Sequence, residues 1–179
     1  MRNTLLLIFF LFAFNSYAQV SKTINVTTPG TLSSHLTANE KSSVTNLVLT
    51  GSIDARDFKT IRDQLYVLSS LDIKDVNIAA YNGPDGTNGN ITDNPANAIP
   101  GSAFYNKKLL TSIILPESAT SIQSWCFFNN TGITNITIPQ SIKTIGENAF
   151  QDCTKLSSLI IKDASVVIEG GAFFKCTLL

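Results

Sequence analysis

A solenoid, built by stacking short turns whose strands run parallel, is the fold class that the sequence predicts, and three observations predict it. Sliding the chain against itself by 23 residues aligns LTSIILPESATSIQSWCFFNNTG, ITNITIPQSIKTIGENAFQDCTK and LSSLIIKDASVVIEGGAFFKCTL as consecutive copies. The copies agree by column: Ile99, Ile122, Ile145 and Ile168; Phe104, Phe127, Phe150 and Phe173; and the small residues Ala103, Cys126, Ala149 and Ala172 beside the Phe. Further upstream, Val44, Leu47 and Leu49 in VTNLVLTG, and Leu68, Leu71 and Ile73 in LSSLDIKDVNI, repeat the i, i+3, i+5 spacing of a leucine-rich repeat strand.

One such turn cannot bury its apolar columns alone. Stacking brings strands to about 4.8 Å and turns each column into a continuous ladder of Ile, Leu or Phe. The fold expected is therefore a right-handed leucine-rich repeat solenoid, with parallel strands on one side and short helical or irregular segments on the other. Within each strand the alternation sends Ile113 and Leu115 inward and Ser112 and Ile114 outward; the outward pairs of the next turns are Asn135 and Thr137, then Ser158 and Ile160. These six residues form the candidate partner-binding face. Pro116 and Pro139 follow their strands, where a missing N–H ends the ladder, and Lys162 takes that column in the next turn.

From the N-terminus, residues 1–18 are set apart from the fold. An Arg near the start, an apolar run from Leu5 to Phe14 and the small-x-small sequence Ser16-Tyr17-Ala18 mark a secretory signal peptide cleaved after Ala18. The run is shorter than the roughly 20 apolar residues that a membrane span needs. Residues 19–43, rich in Ser, Thr and Asn, form the expected capping segment: a short strand, a Pro-Gly turn and a short helix covering the first open rung.

Residues 44–179 form the repeat domain. Between its first two strands, DARDFKTIRDQLYVL reads as a helix whose stripe is Phe58, Ile61, Leu65 and Leu68, with Asp54 as N-cap and Asp57 near the positive end of the dipole. Arg56, Lys59, Arg62 and Asp63 are left for a solvated face. Residues 81–98, YNGPDGTNGNITDNPANA, read as an insertion loop on the surface. The order of Asp85, Asn88, Asn90 and Asp93 does not match a calcium-binding EF-hand loop. At the other end the sequence stops at Leu179, the first residue of a new turn, without a polar cap; the expectation is a truncated version of a longer protein whose last turn frays.

Chemistry is sparse. The 13 basic and 13 acidic side chains balance, which argues against a nucleic-acid surface. His35 is the only histidine and lies in the polar entry segment, with no nucleophile elbow or glycine loop, so no catalytic residue, cofactor site or metal site is assigned. Cys153 and Cys176 share a column while Cys126 stands in another, and buried free thiols are expected of all three.

The pattern L-x-S-I-x-I-P-x-S-I-x-x-I-G-x-x-A-F-x-x-C, matched almost throughout by residues 133–153, resembles the repeat of BspA-like bacterial surface proteins. GSIDARDFKTIRD, LDIKDVNIAAY and AIPGSAFYNK resemble the opening of such proteins, so the resemblance covers residues 44–179. The chain departs from the pattern at Trp125, Cys126 and Lys162. The resemblance implies a secreted or surface-displayed protein that binds a protein or glycan ligand on host or microbial surfaces, with no transmembrane segment after signal cleavage. The alternative is a spacer or targeting solenoid of a longer surface protein or enzyme whose activity lies in another domain.

Overall fold

The structure is a computed structural model that describes residues 19–89 and 93–179; the signal peptide expected at residues 1–18 lies outside the described residues. The capping segment supplies β1 (Ser21–Val26), a single 3₁₀ turn (Leu32–His35) and α1 (Ala38–Ser43). Then follow β2 (Asn46–Ile53), α2 (Ala55–Gln64) and β3 (Ser70–Ile78). Residues 81–98 contribute β4 (Tyr81–Asn82) and β5 (Asp93–Asn94), a short antiparallel pair, and end in β6 (Ala98–Ile99). The later turns each carry two strands: β7 (Ser112–Ile114) and β8 (Ser121–Ile122), β9 (Asn135–Ile138) and β10 (Thr144–Ile145), β11 (Ser158–Ile161) and β12 (Val167–Ile168).

The fold is a leucine-rich repeat solenoid. One ladder runs β1-β2-β3-β7 and continues, after a break, as β9-β11; β1 thus lies along the outer edge of β2. A second ladder runs β6-β8-β10-β12. The spacing did not assign this second ladder to strands, although its inward residues are the Ile99, Ile122 and Ile145 column, all fully buried. Each of its strands has two residues, too few for a period of two to show.

Both ladders bury their alternate residues in one continuous core. At its centre the Phe column stacks: ring centroids lie 4.8 Å apart from Phe104 to Phe127, 4.8 Å from Phe127 to Phe150 and 5.2 Å from Phe150 to Phe173. Phe58 of α2 meets the first of these rings edge-on at 5.8 Å, joining the helical rung to the array.

The segment after each second strand is a turn with two left-handed residues. Ser102, Trp125, Asn148 and Gly171 occupy the first such column, and Asn106, Asn129, Asp152 and Lys175 the second, all with φ between 54° and 68°. This geometry points backbone N–H groups at the following turn: Phe104 donates to Cys126 O at 2.8 Å, Phe127 to Ala149 O at 2.7 Å and Phe150 to Ala172 O at 2.7 Å. The residue after each second strand donates the opposite way, as Gly146 does to Ile122 O.

A fourth column closes the turns from inside. Asn130 Nδ2 donates to Phe104 O at 2.6 Å, Cys153 Sγ to Phe127 O at 3.1 Å and Cys176 Sγ to Phe150 O at 3.1 Å, while Lys107, first in the column, sends its ammonium to Leu65 O. The cysteines here are free thiols and more than small apolar fillers: each donates to a carbonyl that already accepts one backbone N–H within its turn, Phe127 O from Asn130 and Phe150 O from Cys153, and so fills the second lone pair.

Around α2 the reading of a solvated charged face holds for Lys59 and Asp63, which pair at 2.6 Å and are each more than a third exposed, but not for the groups that bind neighbouring segments. Asp54 caps the helix in a capping box with Asp57, and Asp57 is wholly buried, accepting from Gly30 N–H (2.6 Å), Leu32 N–H (2.8 Å) and Asp54 N–H (2.9 Å). Arg56 pairs with Asp54 at 2.6 Å, donates to Pro29 O and lies 4.6 Å over the Tyr81 ring. Arg62 donates to Thr87 O and Ser102 O. These charges hold the capping segment and the insertion loop against the helix, because carbonyls brought close by the fold give an arginine fork more than water does. The loop is accordingly docked as well as superficial: Thr87 and Asn94 are buried.

Candidate binding face

The first ladder presents its outward residues in rows. Ser112, Ile114, Asn135, Thr137, Ser158 and Ile160 are all exposed, Ile114 at 48% and Ile160 at 55%, while Ile113, Leu115, Ile136 and Ile138 between them are buried. Register places Asn135 beside Ser158 and Thr137 beside Ile160. The structure therefore brings the six together on one surface.

The rows also extend further than the six. Ser70 lies beside Ser112 and Asp72 beside Ile114; Asn46 lies beside Ser70 and Val48 beside Asp72; Ser21 and Thr23 of β1 complete the rows. One row is made of small polar groups throughout. Its neighbour alternates Thr23, Val48, Asp72, Ile114, Thr137 and Ile160, so exposed aliphatic side chains sit within reach of hydroxyls and one carboxylate. Sequence reasoning passed over β1–β3 because the outward positions there precede the regular 23-residue copies. The two i, i+3, i+5 strands were nonetheless a signal that could have found them.

Between β7 and β9 the ladder opens. Ser69 donates to Thr45 O, Thr111 to Ser69 O and Ser157 to Thr134 O, but the corresponding bond from Thr134 to Thr111 is not formed. At the far end of the strands Pro139 has no N–H for the carbonyl of Leu115, whereas Lys162, one turn on, donates to Ile138 O at 3.2 Å. A cleft of about 240 Å³ lies here, lined by Ser112, Ile114, Asn135, Thr137, Glu117 and Lys162 among others. Lys162 Nζ and Glu117 Oε1 stand 3.7 Å apart, each about half exposed, a pair too solvated to add much stability but well placed to orient a polar ligand.

This arrangement suits noncovalent recognition. Exposed Ile and Val offer apolar contact area, the rows of hydroxyls and amides offer exchangeable hydrogen bonds, and the face carries little net charge. His35 is exposed in the capping segment, with its carbonyl bound to Lys22 Nζ at 2.9 Å. Among the described residues no group of three or more His, Cys, Asp or Glu side chains is placed to hold a metal ion. No helix of the described residues is long and apolar enough to cross a membrane.

Comparison with known proteins agrees with this geometry. Residues 74–179, more than half the chain, match the family described as BspA type Leucine rich repeat region, in six copies. A leucine-rich repeat protein from Bacteroides ovatus has a solved structure that superimposes with a TM-score of 0.53 at 23% identity, over 76% of this chain and 36% of that one. A leucine rich cell surface protein from Faecalibacterium prausnitzii aligns at 18% identity over 84% of this chain and 41% of that one, with a TM-score of 0.37. The chain thus spans well under half the length of either. No curated protein is similar enough to match.

Proposed function

Because the chain belongs to the BspA-type leucine-rich repeat family, we propose that it is an exported, non-enzymatic binding protein, which holds a protein ligand against its first strand ladder at the cell surface or outside the cell. The observation that carries this reading is the continuous face of Ser112, Ile114, Asn135, Thr137, Ser158 and Ile160, aliphatic and small polar side chains held on a rigid ladder and opened by the cleft between β7 and β9. The apolar run before Ser16-Tyr17-Ala18 supports export. Adhesion to host or microbial partners is the role that fits such a face.

The test is binding of the purified chain to a panel of immobilised extracellular matrix proteins and microbial surface proteins. Replacing Ile114 and Ile160 together by Arg is expected to abolish saturable binding while leaving the melting temperature within a few degrees of the parent, since both side chains are exposed. Equal affinity of parent and variant for every ligand bound would refute the placement of the site. A second reading, a spacer or targeting solenoid, is favoured by one fact: the chain spans about a third of the length of the Bacteroides ovatus structure it resembles. In that reading no panel member binds at all.

A further inference from the structure

Trp125 occupies a position that its own column shows to be ill suited to it. The column is left-handed in every turn, and its other members are Ser102, Asn148 and Gly171. Gly has no Cβ to strain, and a short polar side chain can hydrogen-bond locally; a bulky residue there has neither advantage and is strained. Trp125 sits at φ 60°. Burial does not offset this strain in full, because the side chain remains 38% exposed. Backbone strain held at an exposed aromatic residue is the kind of outlier that marks a binding site.

The surroundings supply the rest. The ring packs at 5.1 Å against Phe128, which stacks at 4.8 Å on Tyr105, so the indole rests on an aromatic pile that fixes its orientation. It borders a cleft of about 360 Å³ on the side of the second ladder, within the size range of small-ligand sites, lined also by Gln123, Ser124, Thr144 and Glu169. Gln123 uses its carbonyl oxygen to accept from Gly101 N–H at 2.9 Å, which turns its amide N–H₂ to other use. Glu169 Oε2 accepts from Glu147 N–H at 3.0 Å, leaving the second oxygen for a ligand. The indole N–H makes no hydrogen bond to another described residue.

We infer that this cleft binds a neutral saccharide ring. A pyranose has an apolar face of C–H groups, which packs on an indole, and an edge of adjacent hydroxyls, which a carboxylate, an amide and two hydroxyls can each meet. Charge decides the class. Among the described residues the lining carries the Glu169 carboxylate and no cation, with Glu147 next to it, so an acidic or sulfated sugar is repelled and a neutral hexose or N-acetylhexosamine is accepted. None of these residues belongs to the face of Ile114 and Ile160, so this site stands or falls separately from the protein-binding reading.

The experiment exploits the single tryptophan of the chain. The purified protein is titrated with gluco-, galacto-, manno- and N-acetylglucosamine-configured oligosaccharides and with a uronate oligosaccharide, following indole fluorescence and saturation-transfer NMR of the sugar protons. The expected result is a saturable fluorescence change with at least one neutral oligosaccharide and none with the uronate. Trp125→Asn is expected to melt at or above the parent temperature, because Asn suits the backbone, and to bind about tenfold more weakly or not at all by NMR. Glu169→Ala weakens binding without altering the fold. The proposal is overturned by the absence of saturable binding of any neutral sugar, by undiminished binding of Trp125→Asn, or by preference for the uronate. A Trp125→Asn chain that melts well below the parent also overturns it, since the indole is then a packing element.

Discussion

Two regions of the molecule solve the same problem by different means. In the first rungs, residues 19–78, successive elements are joined by charged and polar side chains gathered round α2: Asp57 on three backbone N–H groups, Arg56 on Asp54 and Pro29, Lys22 on Glu40 at 2.5 Å. In the later turns, residues 98–179, the buried joints are mostly neutral and repeated, namely stacked Phe rings, aliphatic columns and the Asn130, Cys153 and Cys176 donors, while ion pairs such as Lys143–Asp163 and Lys175–Asp152 link turns at the surface. Irregular geometry needs specific polar staples, each made once. Regular geometry lets one apolar residue per column serve every interface, which is why a repeat array needs little charge in its core.

The comparison is broken most forcefully by paired deletions. Phe127→Ala removes the ring between Phe104 and Phe150 and is expected to cost about 3–5 kcal/mol. Asp57→Ala leaves the N–H groups of Gly30, Leu32 and Asp54 without their acceptor, at about 2–4 kcal/mol. Urea unfolding gives the totals, and hydrogen exchange gives the location. The Asp57 variant is expected to lose protection first in residues 21–36, the Phe127 variant in the turns on both sides of it. Loss spread evenly in both variants would show one cooperative unit in place of two kinds of joint.

Lys107 stands where the two regions meet, and it sharpens the contrast through pH. Burial draws its ammonium down from 10.5 to about 8, against a smaller upward pull from Asp63. The folded state therefore binds this proton less tightly than the unfolded chain. The resulting stability is complete above pH 10.5 and is lost as pH falls through about 8, so this group makes the protein more stable as pH rises from 7.5 to 9. The change is about 3 kcal/mol at most. A buried thiol opposes it at higher pH. Burial raises the Cys126 thiol, so folding disfavours its thiolate above pH 9. Lys107→Met is expected to flatten the rise between pH 7.5 and 9 in urea unfolding, with Leu65 O still bonded to Leu68 N–H. A rise of the same slope in the variant would assign the effect elsewhere.

The smallest effect expected comes from Asn130→Cys. The thiol of Cys153 already performs the same donation one turn on, and the Oδ1 of Asn130 is buried without a partner, so the exchange is predicted to stay within about 1 kcal/mol by thermal melting. A loss several times larger would mean that the column tolerates Cys only where the neighbouring donor is another Cys.

Legibility in the sequence follows the same division. The Ile and Phe columns and the outward pairs from Ser112 to Ile160 were readable because each residue type recurs every 23 positions. The tasks of Arg56 and Arg62 were not, since their acceptors are carbonyls 27 and 25 residues away that only folding brings near. The role of Cys153 was hidden for another reason: a thiol in an apolar column looks like packing until a carbonyl is found 3.1 Å from it. Trp125 was visible as a departure from the pattern, but its significance rests on a dihedral angle that no residue type announces.

Forward donation in the turn segments gives the stack a polarity that its strands lack. Peptide dipoles alternate along a parallel strand and largely cancel, whereas Trp125, Phe127 and Asn129 each donate forward to Glu147, Ala149 and Gln151, so the dipoles of these turn peptides add along the axis. On this side of the molecule each turn meets the next through N–H donors and the one before through carbonyl acceptors, and the two ends of the stack differ in chemistry as well as in position.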